Sequence, residues 1–114
     1  MIQDIGDREF DRIIEQASVP VLVEFWQPGC GHCQALLQEL ELIQAEVGDR
    51  LVIYKMNVQE NFLIPGELEI HSLPTLALYV DGKFEFSENS PLGRAGVMEG
   101  VEFMNGEKDT RKAA

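Results

Sequence analysis

An α/β fold, with a central mixed β-sheet of four to five strands flanked by helices, is what this sequence predicts, and three features predict it. Two runs of apolar, largely β-branched residues, Val21–Trp26 and residues 51–58, are continuous enough to be strands buried on both faces of a sheet. Between them the spacing of Leu36, Leu37, Leu40, Ile43 and Val47 is helical. A strand-helix-strand unit of this kind closes with parallel strands under the right-handed crossover rule. Further on, Asp81-Gly82 separates two short strands, the strongest local signal for an antiparallel hairpin, so the sheet is mixed.

Taken in order, Ile2 and Ile5 make a short apolar start, and Asp7 is placed to N-cap a helix whose Phe10, Ile13, Ile14 and Ala17 share one face. Pro20 stops that helix and the strand Val21–Trp26 follows. Gln27-Pro28-Gly29 breaks the strand, and the next helix runs from Gly31 to a C-cap at Gly48. After the strand at 51–58, residues 59–72 carry Pro65 and Gly66 and read as a connector, with a short helical pattern around 67–70. Strands at 75–80 and 83–86 form the hairpin. Beyond Pro91, Val97, Val101 and Met104 keep helical spacing, although Gly93, Gly96 and Gly100 each cost about 1 kcal/mol in a helix, so a weak terminal helix is expected. No repeat, low-complexity stretch or linker divides the 114 residues, a length suited to one domain and one site.

Composition narrows the function classes. A hydrophobic share of 45% and a charged share of 25% are those of a globular chain able to close a core. The longest apolar run, 19–25, is interrupted by Pro20 and Glu24 and falls far short of the ~18 residues needed to span a bilayer. A net charge of -11 repels phosphate backbones and anionic lipid, which argues against nucleic-acid and membrane-surface partners. The start Met-Ile-Gln-Asp-Ile-Gly-Asp is acidic where a signal peptide is basic, so a cytoplasmic address is expected.

The two cysteines form one Cys-x-x-Cys, Cys30 and Cys33, at the start of the helix that follows the first central strand. A helix N-terminus carries about half a positive charge and unpaired amide donors, which favour a thiolate, so Cys30 reads as the attacking sulfur. Cys33, nearly one turn on and on the same side, reads as the buried partner that resolves a mixed disulfide. Gly31 leaves room for a bulky substrate, and a protonated His32 adds positive charge beside Cys30, which favours the reduced form and a more oxidising couple. Two other readings stand beside this one: an inert pair of small hydrophobes, or a zinc site. Zinc needs four ligands, and besides the cysteines only His32 and His71 are on offer, with His32 wedged between them and no second Cys-x-x-Cys.

With Phe25-Trp26, Cys30-Gly-His-Cys33 and Leu73-Pro74-Thr75 in this order, the sequence resembles the thioredoxin family over residues 1–105, leaving 106–114 as a flexible C-terminal tail; the tetrapeptide is similar to that of protein disulfide isomerase domains. The resemblance implies a thioredoxin fold, a cis proline at Pro74 facing the active-site disulfide, and substrate docking on Leu73 and Thr75. It implies that Glu24, six residues ahead of Cys30, is a buried acid that accepts the proton of Cys33. In an apolar strand such an acid either has a raised pKa and moves protons or pairs with Lys55 on the neighbouring strand. Trp26 matches a tryptophan that supports substrate contact in the family, though a lone strand Trp is also an ordinary core residue. The chain departs from the family pattern at Gly29, where a Trp is usual, at Gln34, where a Lys or Arg is frequent, in lacking a mid-helix Pro, and at Glu88-Asn89-Ser90-Pro91, where a Gly lines the substrate groove. His71, just before the Leu73-Pro74-Thr75 segment, is either near the active site or a solvated loop side chain, and the second reading is the one taken.

The expectation is therefore a monomeric thiol-disulfide oxidoreductase that reduces disulfides in partner proteins through Cys30 and Cys33. It would hold no bound cofactor and would take electrons, by family resemblance, from a flavin-dependent thioredoxin-reductase-like donor. The alternative is a protein-interaction module on the same fold with a vestigial redox pair, using Gly29 and residues 87–93 to hold a partner.

Overall fold

The computed structural model describes residues 1–88. The expected terminal helix, the segment 89–93 and the tail 106–114 lie outside these residues. The elements are β1 (Gln3–Asp4), α1 (Asp7–Gln16), β2 (Val21–Trp26), α2 (Gly31–Val47), a single 3-10 turn (Gly48–Arg50), β3 (Val52–Asn57), α3 (Leu63–Glu67), β4 (Thr75–Val80) and β5 (Lys83–Glu88). One five-stranded sheet has the order β1-β3-β2-β4-β5. β2 pairs parallel with β3 and antiparallel with β4, which puts it at the centre. This is the mixed sheet of the thioredoxin fold.

Alternation along β2 divides the core. Val21, Val23 and Phe25 pack with Phe10 and Ile14 of α1, Ile64 of α3 and Met56 of β3. Leu22 faces the other way, onto Leu36, Leu40, Ile43 and Val47 of α2. Because the side-chain period of a strand is two, Glu24 and Trp26 point to the same side as Leu22, towards α2. The one acid in an otherwise apolar strand is thereby aimed under the helix that carries the cysteines. Gln44 fixes that helix to β3: its amide donates to Leu51 O at 2.7 Å and accepts from Ile53 N at 2.9 Å.

Two local expectations are corrected. Asp7 is the first residue of α1, and the N-cap is Gly6, whose N–H donates to Glu9 Oε1 at 2.8 Å. The Asp7 carboxylate instead caps α3, accepting from Phe62 N and Leu63 N through Oδ2 (2.8 and 2.9 Å) and from Ile64 N through Oδ1 (2.9 Å). That explains the second correction, which is that the connector's helix is Leu63–Glu67, upstream of the pattern at 67–70 and containing Pro65. A helix leaves its first four N–H groups unpaired. Here three are taken by Asp7 and the fourth position is a proline, which has none to satisfy.

At the hairpin, Asp81 (φ 54°) and Gly82 (φ 79°) both occupy the left-handed region, as a two-residue turn matched to the twist of the strands requires. β1 is a two-residue edge strand paired with Tyr54 and Lys55.

Candidate active site

β2 delivers its C-terminal end to the turn Gln27-Pro28-Gly29, and Gly29 (φ +82°), with open space where a side chain would be, reverses the chain into α2. Cys30 is the N-cap of α2, and its sulfur accepts the Cys33 N–H at 3.1 Å. The two cysteines are disulfide-bonded, with Cα atoms 5.3 Å apart. Cys30 is half-buried, whereas Cys33 is 1% exposed. One sulfur is therefore open to a partner and accepts from a helix-terminal amide, and the other is closed off.

Behind Cys33 lies a cavity of about 200 Å³ lined by Glu24, Trp26, Cys33, Gln34, Leu37 and Lys55. Glu24 is 1% exposed and neither carboxylate oxygen has a hydrogen-bond partner among the described residues. Burial pushes its carboxyl up to about 8, against the opposing pull of the Lys55 charge. Lys55 sits beside Glu24 in the β2–β3 register but makes no ion pair with it; its ammonium lies 5.3 Å from the centroid of the Trp26 ring. Of the two readings open for Glu24, the unpaired acid is the one found. An acid poised near neutrality, in a cavity shared with the Cys33 sulfur, can exchange a proton with that thiol.

On the outer side, Cys30 opens into a groove of about 580 Å³. Gly31 and His32 line it from α2, and Leu73 lines it from the segment before β4. The Leu73–Pro74 peptide is cis. Pro74 and Thr75 are both buried, and the Thr75 hydroxyl donates to Ser72 O at 2.7 Å. The predicted residues thus separate into two groups: Cys30, Gly31, His32 and Leu73 at the groove, and Cys33, Glu24, Trp26 and Lys55 at the inner cavity. Trp26 is half-buried and lines the inner cavity and a second, acidic groove with Asp4, Glu9 and Glu60, outside the lining of the groove at Cys30. Val58, Pro65, Ile70 and His71 also line the groove and were not expected there. For His71 the signal was its place two residues ahead of Leu73.

A family model described as thioredoxin matches residues 1–99. The thioredoxin of Acidithiobacillus ferridurans is 37% identical over 91 residues, covering 80% of this chain and 84% of that protein. The thioredoxin of Rickettsia prowazekii (strain Madrid E) is 34% identical over 83 residues, covering 73% and 79%. Among solved structures, chloroplastic thioredoxin z, whose structure is described as defining a novel type-specific target recognition, superposes with a TM-score of 0.85 at 27% identity, over 92% of this chain and 95% of that one. The chain belongs to the thioredoxin family, and its Cys30–Cys33 pair makes it a thiol-disulfide oxidoreductase.

Proposed function

We propose, from its membership of the thioredoxin family, that this chain reduces disulfides in partner proteins. The observation that carries the proposal is the unequal burial of the two sulfurs at one helix N-terminus, with Cys30 reachable and Cys33 enclosed against Glu24. The Cys30 thiolate attacks one sulfur of a partner disulfide; a Cys30–partner disulfide forms and the other partner sulfur leaves as a thiolate that takes up a proton. Cys33 then passes its proton to Glu24 in that carboxyl's ionised form, a minor fraction at neutrality, and attacks the Cys30 sulfur. The Cys30–Cys33 bond forms, the second partner thiol is released, and two electrons have passed to the partner. Backbone groups near Leu73 dock the partner, Gly31 admits it, and Lys55 tunes Glu24 through its charge.

The Cys-Gly-His-Cys tetrapeptide, similar to that of protein disulfide isomerase domains, moves the couple towards the oxidising end. A reducing cytoplasm still holds either type of couple largely reduced, so the direction is reduction. The chain works as a cytoplasmic monomer with no bound cofactor, and its oxidised form is returned to the dithiol by a flavin-dependent reductase. Residues 1–105 are the working domain and 106–114 a tail.

Trapping tests the proposal. Reduced Cys33→Ser incubated with a disulfide-bonded protein should accumulate a mixed disulfide at Cys30, and Cys30→Ser should accumulate none while wild type releases reduced partner. Equal, non-covalent capture of the partner by wild type and both variants would overturn it in favour of an interaction module.

A further inference from the structure

The chain has two histidines, and both line the groove beside Cys30: His32 from the first turn of α2 and His71 from the segment after α3. They are 39 residues apart in sequence, so the fold alone brings them to one groove. Among the described residues, none of those lining the groove is a carboxylate. The first turn of α2 contains no acid either. The nearby acids among the described residues line other cavities or lie outside this lining. Glu60, after β3, lines the separate groove of Asp4, Glu9 and Trp26. Glu67 of α3 lines the groove under the hairpin with Asp11 and Glu15. Glu24 and Lys55 face the inner cavity behind Cys33. Glu69, solvent-exposed at φ 54°, precedes Ile70 and stays out of the lining. Among the described residues, the ionisable group facing this groove besides the histidines is Cys30 itself.

We infer that this groove selects partner disulfides flanked by acidic residues, with His71 and His32 as the side chains that read the flanking carboxylate. The inference rests on the reductase reading and names its substrate class. A neutral imidazole offers a carboxylate one N–H donor; a protonated one offers two and a full charge. Imidazole is the side chain whose charge changes across the physiological range, so the preference strengthens as the medium acidifies. The acidic remainder of the surface opposes an acidic partner, but at about 0.15 M salt charges are screened beyond roughly 8 Å. A carboxylate seated in the groove is governed by what lines it. Each exposed pair of this kind changes affinity by about two- to fivefold.

The test uses the full chain, reduced beforehand, and three disulfide peptides that differ only in Glu, Gln or Lys beside the cysteine, at about pH 6 and about pH 8 in about 0.15 M salt. Comparing peptides at each pH cancels the titration of Cys30, and the Glu and Lys peptides keep their charge throughout. The Glu peptide should be favoured over the Gln peptide in kcat/KM by about two- to fivefold at the lower pH, through KM, with the preference shrinking at the higher pH and the Lys peptide disfavoured. His71→Ala should lower the preference at the lower pH, and His71→Lys should keep it at both. A Glu preference absent at the lower pH, or one that neither variant changes, would overturn the selectivity while leaving the reductase reading standing. Failure to reduce any of the three peptides would overturn both.

Discussion

Glu24 gives the account its most quantitative consequence. In the unfolded chain its carboxyl ionises near 4.5, whereas in the fold burial holds it protonated up to about 8. The sign follows from which state loses its proton first. Below pH 4.5 the carboxyl is protonated in both states and costs nothing; above it the unfolded chain ionises alone and the native state loses stability; above about pH 8 both are ionised and the loss stays constant. At about 1.4 kcal/mol per pH unit the cost reaches roughly 3 kcal/mol at pH 7 and roughly 5 kcal/mol by the end of the window. Glu24→Gln removes it, because an amide of the same shape is neutral throughout and finds the same unpartnered surroundings as the protonated acid. Denaturant unfolding of the oxidised protein between pH 4.5 and pH 8 should therefore show wild type and Glu24→Gln alike at the acid end, and the variant more stable by about 3 kcal/mol at neutrality, or about 10 °C in Tm. The same substitution should slow release of the mixed disulfide. Parallel stability curves across this window would refute the reasoning, since they would mean that Glu24 ionises in the fold as it does in the unfolded chain.

Lys55→Met removes the charge that lowers the Glu24 carboxyl, so titration of that carboxyl, followed by its infrared band, should move above the wild-type value of about 8. Asp7→Ala leaves the N–H groups of Phe62, Leu63 and Ile64 without their acceptor and should cost about 1–2 kcal/mol in the denaturant midpoint. Gly82→Ala meets no steric clash but forces a Cβ into the left-handed region at φ +79°, and should cost about 1 kcal/mol by the same measurement.

What could be read from the sequence was whatever short-range pattern determines. β2, α2 and β3 follow from runs and periodicities of a few residues, and the hairpin from one dipeptide, so each emerged within a residue or two of its observed bounds. The cysteines stood out by their spacing at a helix start, whereas the role expected of Glu24, with Lys55 as its candidate pair, came from the family resemblance. Features that depend on distant contacts were not legible. Asp7 looked like a cap for its own helix, but its acceptors serve an element up to 57 residues away. That same contact lets α3 form through Pro65, where propensity alone places the helix later. β1, two residues long, is defined by its pairing with β3 rather than by composition. Nor could the sequence show that Lys55 would settle over Trp26 and leave Glu24 unpaired, or that His71 and His32 would line one groove with Cys30.

The central claim is that Cys30 and Cys33 are a reversible two-electron couple serving partner disulfides, and the reduction potential tests it most directly. Alkylation trapping across a graded thiol-disulfide buffer, with Cys30→Ser as control, should give one reversible two-electron transition between about -270 and about -180 mV. A pair that shows no reversible transition, or a Cys30→Ser control that titrates like wild type, would contradict the account.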